Sequence, residues 1–85
     1  MKSAIVTGAG QGIGFRFAQA LGAQGYGLIV ADIDGAEEAA SRLRGTGISC
    51  HGVRADVSSE DEVRSMAAAC IDHFGGIDVL VTTPG

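Results

Sequence analysis

Eight residues near the start of the chain, Thr7-Gly8-Ala9-Gly10-Gln11-Gly12-Ile13-Gly14, constrain its fold more than any other stretch. An apolar run, Ala4 to Val6, precedes them and a helical pattern follows, so they form the joint between a strand and a helix. Gly8 permits a tight turn off the strand, Gly12 lets a ligand approach the backbone, and Gly14 lets the helix lie close on the sheet. The first-turn amides of such a helix have no partner within it, and with the helix dipole they make a site for phosphate oxygens.

The same alternation continues along the chain. A first helix is expected from about Gly12 to Gln24, with Ile13, Phe17, Ala20 and Leu21 as the face against the sheet and Gly25 as the stop. Leu28 to Ala31 reads as a second strand without polar alternation, as in a strand covered on both sides. A second helix is expected over Gly35 to Arg44. Asp34 would be its N-cap, Glu37 and Glu38 would sit at the positive end of its dipole, and Arg42 and Arg44 at the negative end. Ile48 to Val53 is assigned as a third strand by its place in the alternation. Ser59 and Glu62 have capping-box spacing and open a third helix striped by Val63, Met66, Ala67, Cys70, Ile71 and Phe74. Gly75 and Gly76 close that helix, and Ile77 to Val81 makes a fourth strand. The pattern predicts one α/β unit spanning residues 1–85. It is a partial, doubly wound, Rossmann-type parallel sheet of four strands in order 3-2-1-4, with three helices.

Composition narrows the partners. With a net charge of -4 and only six basic residues, the chain offers no electrostatic footprint for nucleic acid or an anionic membrane. No apolar run approaches the roughly 20 residues of a spanning helix, and the start lacks the pattern of a secretory leader, so the expected location is cytoplasmic. Cys50 and Cys70 lack zinc-site spacing and read as small buried hydrophobes. A chain of 85 residues buries only roughly 60 to 65% of its unfolded surface, so its stability is expected to be marginal.

Asp32 ends the second strand, 18 residues after Gly14. An acid there can accept hydrogen bonds from adenosine ribose hydroxyls, and it would repel a 2'-phosphate. Loop and acid together predict a dinucleotide site that prefers NAD to NADP. Asp32 also fits a plain turn with Asp34 and Gly35, and Asp56 fits equally a turn cap ahead of Ser58 or a ligand contact.

The T-G-x-x-x-G-I-G loop at Thr7 to Gly14, Asp32 after the second strand, Asp56-Val57 after the third, and a fourth strand running into a glycine turn resemble the short-chain dehydrogenases/reductases. The resemblance covers the whole chain but only the family's first part. Other Rossmann proteins usually space their glycines G-x-G-x-x-G, which would need glycine in place of Ile13. The resemblance implies a cofactor groove formed by Gly8, Gln11, Gly12, Ile13, Gly14, Asp32, Ile33, Asp56, Val57, Thr83 and Gly85. Within it, Asp56 would meet the adenine amino group and the Val57 amide a ring nitrogen. NADP-preferring relatives tend to carry a basic residue where this chain has Gln11 or Ile33, which again implies NAD.

Two departures matter. The family's N-N-A-G turn is replaced by Thr82, Thr83, Pro84 and Gly85; a threonine offers one hydroxyl where asparagine offers an amide, and Pro84 lacks a backbone donor. The family's chemistry uses a serine and a Tyr-x-x-x-Lys pair. Here the sole tyrosine, Tyr26, is followed four residues on by Val30, and the sole lysine is Lys2. Tyr26 is expected to pack at the mouth of the second strand, and His51 and His73 read as structural, without metal-ligand company. The expectation is therefore the NAD-binding segment of an oxidoreductase acting between nicotinamide and an alcohol or carbonyl, with no catalytic or metal residues of its own. The rivals are a stand-alone nucleotide-binding or scaffold module and a non-functional truncation. The open edge of the fourth strand predicts self-association.

Overall fold

The computed structural model describes residues 1–10 and 12–83. Four strands, β1 (Ser3–Thr7), β2 (Gly27–Asp32), β3 (Cys50–Arg54) and β4 (Val79–Val81), alternate with three helices, α1 (Gly12–Ala23), α2 (Ala36–Arg44) and α3 (Glu60–Phe74). The sheet is parallel throughout, in the order β3-β2-β1-β4, as the alternation predicts.

The apolar runs of β1 and β2 are buried on both faces. Ala4, Val6, Leu28 and Val30 pack under Ala18 of α1 and Ala40 and Leu43 of α2, with Tyr26 resting against the same cluster. Ile5, Ile29 and Ala31 face the other way, onto Met66 and Cys70 of α3. The middle of a strand sandwiched in this way is apolar throughout, and the buried polar residues of β1, Ser3 and Thr7, stand at its two ends. Both cysteines are free and buried, and burial pushes the Cys50 thiol up to about 11, so it behaves as a small apolar group.

Of the packing face expected for α1, Leu21 rests against the core but Ile13, Phe17 and Ala20 do not. Ile13 and Phe17 are 68% and 49% exposed, while the buried positions are Gly14 and Ala18. A Cβ on Gly14 would run into the carbonyl of Gly8, so the helix sits too close to the loop for a large side chain at that level. At that level the inward positions are therefore Gly14 and, one turn on, Ala18, while Ile13 and Phe17 turn outward. Phe15 and Leu21 are half-buried at the margin, where the Arg42 guanidinium lies 4.5 Å from the Phe15 ring centroid and ties α2 to α1.

Asp34 is not the N-cap of α2. Gly35 takes that position at φ 79° with no side-chain cap, a left-handed conformation that glycine adopts without penalty. β3 begins at Cys50, because the Ile48 amide donates to Leu43 O at 3.3 Å and closes the turn after α2. On α3, Ser59 accepts from the Glu62 amide at 3.4 Å, as a capping box requires. Glu62 does not reach back to Ser59; its Oε1 accepts from the Asp56 amide at 3.2 Å and so braces the β3–α3 turn. Of the expected α3 stripe, Met66 and Cys70 are buried and Ile71 is exposed. β4 is shorter than expected, with Ile77 outside it.

Candidate functional site

The carboxyl ends of all four strands converge on one cleft. It is lined by Thr7 and Gly8 after β1, Asp32 and Ile33 after β2, Ala55 and Val57 after β3, and Thr83 after β4. The chain leaves β1 toward β2 on one side, while β4 lies on its other side. Such a reversal opens a crevice between the connections, which is where ligands of open α/β sheets bind.

The three glycines differ in what surrounds them. Gly8 turns the chain at φ 65°, and a Cβ there would collide with the Thr83 hydroxyl. Gly14 is pressed against the Gly8 carbonyl, with Thr83 Oγ1 3.0 Å from where its Cβ would stand. Gly12, at φ 66°, has no described atom within 4 Å of that position. Gly8 and Gly14 are thus small because the protein fills the space beside them, whereas Gly12 leaves its own space open at the first turn of α1. Ile13 also stands in that first turn, but its side chain lies in a separate groove with Arg16, Phe17 and Ala20. What it presents near the loop is its amide.

Asp32 is half-buried at the β2 corner. Its Oδ2 accepts from the Gly10 amide at 2.9 Å and its Oδ1 from the Asp34 amide at 3.4 Å. One oxygen is thus firmly held by the glycine loop, and the other is bonded only at long range. The loop is also pinned by the Ala9 amide, which donates to Ala31 O at 3.2 Å. Asp56 takes the turn role: its Oδ1 accepts from the Ser58 amide at 2.9 Å and the Ser58 hydroxyl at 2.7 Å. These bonds, led by the hydroxyl, hold its carboxyl below the usual carboxylate range. It therefore stays ionised beside Val57, which is exposed in the cleft. At the β4 end, Thr83 Oγ1 donates to Thr7 O at 2.7 Å.

Of the residues picked out by sequence, the cleft brings together Gly8, Asp32, Ile33, Val57 and Thr83, with Gly12, Gly14 and Asp56 in the turns that frame it. Gln11 and Gly85, together with Pro84, lie outside the described residues. Thr7 and Ala55 also line the cleft and were not picked out. The signal for them is position alone: Thr7 ends β1 opposite Ala31, and Ala55 follows Arg54, the partner of Asp32 in the ladder, with its amide donating to Asp32 O at 3.0 Å.

The family model for short chain dehydrogenases matches residues 2–85. The chain belongs to that family. An uncharacterized oxidoreductase of Thermotoga maritima is 40% identical over 84 residues, an alignment covering 94% of this chain and 32% of that protein. A short-chain dehydrogenase/reductase of Burkholderia phymatum, solved with NAD, superposes with a TM-score of 0.90 at 37% identity, covering 93% of this chain and 29% of the other. An actinorhodin polyketide ketoreductase variant solved with NADPH gives 0.90 at 35% identity, covering 99% and 33%. The chain spans about one third of the length of the relatives it matches. Among the described residues no helix is long and apolar enough to cross a membrane.

Proposed function

We propose that residues 1–85 form the partial dinucleotide-binding domain of a short-chain oxidoreductase, and that it takes NAD in preference to NADP. The observation that carries this reading is the carboxylate of Asp32, which lines the cleft with one oxygen anchored to the glycine loop. Held in this way, the side chain presents its other oxygen to a ribose diol at little further cost in entropy. A 2'-phosphate would bring two negative groups together, and Ile33 stands where a basic residue following the strand would relieve the repulsion.

The remaining contacts follow from the cleft. Open space at Gly12 and the unpaired first-turn amides of α1, Ile13 among them, suit the pyrophosphate. Gly8 and Gly14 shape this cradle. Asp56, ionised and half-exposed, and the Val57 amide suit the adenine edge. Thr83 and Gly85 suit the nicotinamide side. A nicotinamide cofactor supplies hydride exchange with an alcohol or carbonyl, and proton transfer would require the serine and Tyr-x-x-x-Lys pair that these residues do not contain. The segment therefore binds and orients, and we assign it no turnover. Two buried free thiols fit a reducing cytoplasm.

Fluorescence titration with NADH tests the reading. Saturable binding is expected, weakened about tenfold or more in Asp32→Ala, since a hydrogen bond to a charged group is worth about 1.5–3 kcal/mol. NADPH should bind more weakly than NADH, and that preference should shrink in the variant. No binding at millimolar NADH would reject the site and favour a non-functional truncation.

A further inference from the structure

We propose that Arg44 guards one edge of the sheet: its guanidinium, held on an outward carbonyl of β3, closes that strand to the addition of another, so that copies of residues 1–85 meet at β4 alone.

The ladder decides which backbone groups of β3 are open. The Leu28 amide donates to Ser49 O at 2.9 Å and the Ala55 amide to Asp32 O at 3.0 Å, with Leu28 opposite Cys50 and Asp32 opposite Arg54. In a parallel pair this alternation turns the amides and carbonyls of residues 51 and 53 to β2, and those of Cys50, Gly52 and Arg54 away from it. Among the described residues β3 pairs with β2 alone, so the outward groups are the template a further strand would use. One of them is already taken. Arg44 Nη1 donates to Cys50 O at 3.0 Å, and Nη2 meets Glu37 Oε1 at 2.8 Å, which holds the guanidinium across the edge. The backbone of α2 closes on the same stretch, since a Cβ on Gly52 would run into Ala36 O and the Glu37 Cα. Both partners of the ion pair are exposed, 41% and 71%, and such a pair adds little to folding stability. Its effect falls on an incoming strand, which would have to break the bond to Cys50 O and take a guanidinium out of water. β4 is unlike this: Val79, Leu80 and Val81 carry no charge, and Leu80 is 58% exposed. A contact of β4 with β4 ends at a pair, whereas β4 on β3 would repeat without end. Closing β3 bars the second arrangement.

The test compares Arg44→Met, which keeps the stem and removes the charge and the donor, with Arg44→Lys, which keeps a charge on the edge. Each full chain is sedimented over a range of concentrations, and amide exchange is followed at Gly52, on the outer side of β3, and at Ile29 in the core. In the wild type Gly52 should exchange at one rate whatever the concentration. Arg44→Met should associate about tenfold more tightly or better and reach larger species than the wild type. Exchange at Gly52 should slow as those species form, with Ile29 unchanged, and Arg44→Lys should behave as the wild type does. An Arg44→Met chain no larger than the wild type, growth that leaves Gly52 unprotected, or equal growth in Arg44→Lys would each overturn the guard. Should Arg44→Met fail to fold, the wild type decides alone: a Gly52 amide that gains protection with concentration overturns the proposal, and a constant rate upholds it.

Discussion

At the scale of single residues, the glycines of the loop separate into two kinds with opposite mutational behaviour. Gly14→Ala places a methyl against the Gly8 carbonyl, and overpacking of that kind costs about 1–3 kcal/mol. The expected result is a lower urea midpoint with or without cofactor. Gly12→Ala meets no atom of the described residues; its cost to folding is the left-handed backbone, about 1 kcal/mol. Its methyl would enter the space assigned to phosphate, so NADH affinity should fall by more than stability does. Equal losses of affinity and stability in Gly12→Ala would contradict this division. The tight turn expected at Gly8 and the close packing expected at Gly14 match their surroundings, because each depends on a missing side chain. Thr83 was legible only as a departure from a family pattern. The bond it makes joins residues 76 apart, and no local spacing encodes that.

At the scale of elements, β1, β2, β4 and the Ser59 cap were readable because their signals are local, a continuous apolar run and a hydroxyl three residues before a glutamate, whereas β3, with no such run, followed from its place in the alternation. The inward face of α1 was not, since hydrophobic periodicity assumes that the largest apolar residues seek the core. A helix pressed onto a glycine turn must instead bury its smallest residues, here Gly14 and Ala18. The histidines were read as unremarkable for the same reason of distance. His51 in β3 and His73 near the end of α3 stack with ring centroids 3.6 Å apart and planes 13° from parallel, beside Phe74. Burial, then the facing His73, then Arg44 lower the pKa of His51 from 6.5, against a smaller opposing effect of Glu37. The folded chain therefore takes up a proton at lower pH than the unfolded chain does. Stability should be intact above pH 6.5, fall as the pH drops through that value toward the folded pKa, and then level off. Urea midpoints measured from neutral pH downward should show this decline, and His51→Asn should flatten it. A decline of the same size in the variant would assign it to other groups.

At the scale of the whole molecule, the sheet has one covered and one exposed consequence of its order. β1 and β2 are paired on both sides, whereas β4 pairs with β1 only and presents Leu80, 58% exposed, on the α3 side of the sheet. An apolar strand whose edge is unpaired recruits other strands, so residues 1–85 taken by themselves are expected to associate through β4. Light scattering should report dimers or larger species that dissociate on dilution, and Leu80→Lys should shift them toward monomer while leaving the circular dichroism of the fold unchanged. An unshifted distribution in Leu80→Lys would place the contact elsewhere. The order β3-β2-β1-β4 also sets a timetable for folding. β2 can find both its neighbours once residues up to Arg54 are available, but β1 reaches its second partner only when Val79 pairs with Ala4. Of the four strands β1 comes first in sequence and is thus among the last to be enclosed. Closing so long a loop before its contacts form is slow, which leaves the glycine turn the last part of the cleft to acquire its final shape.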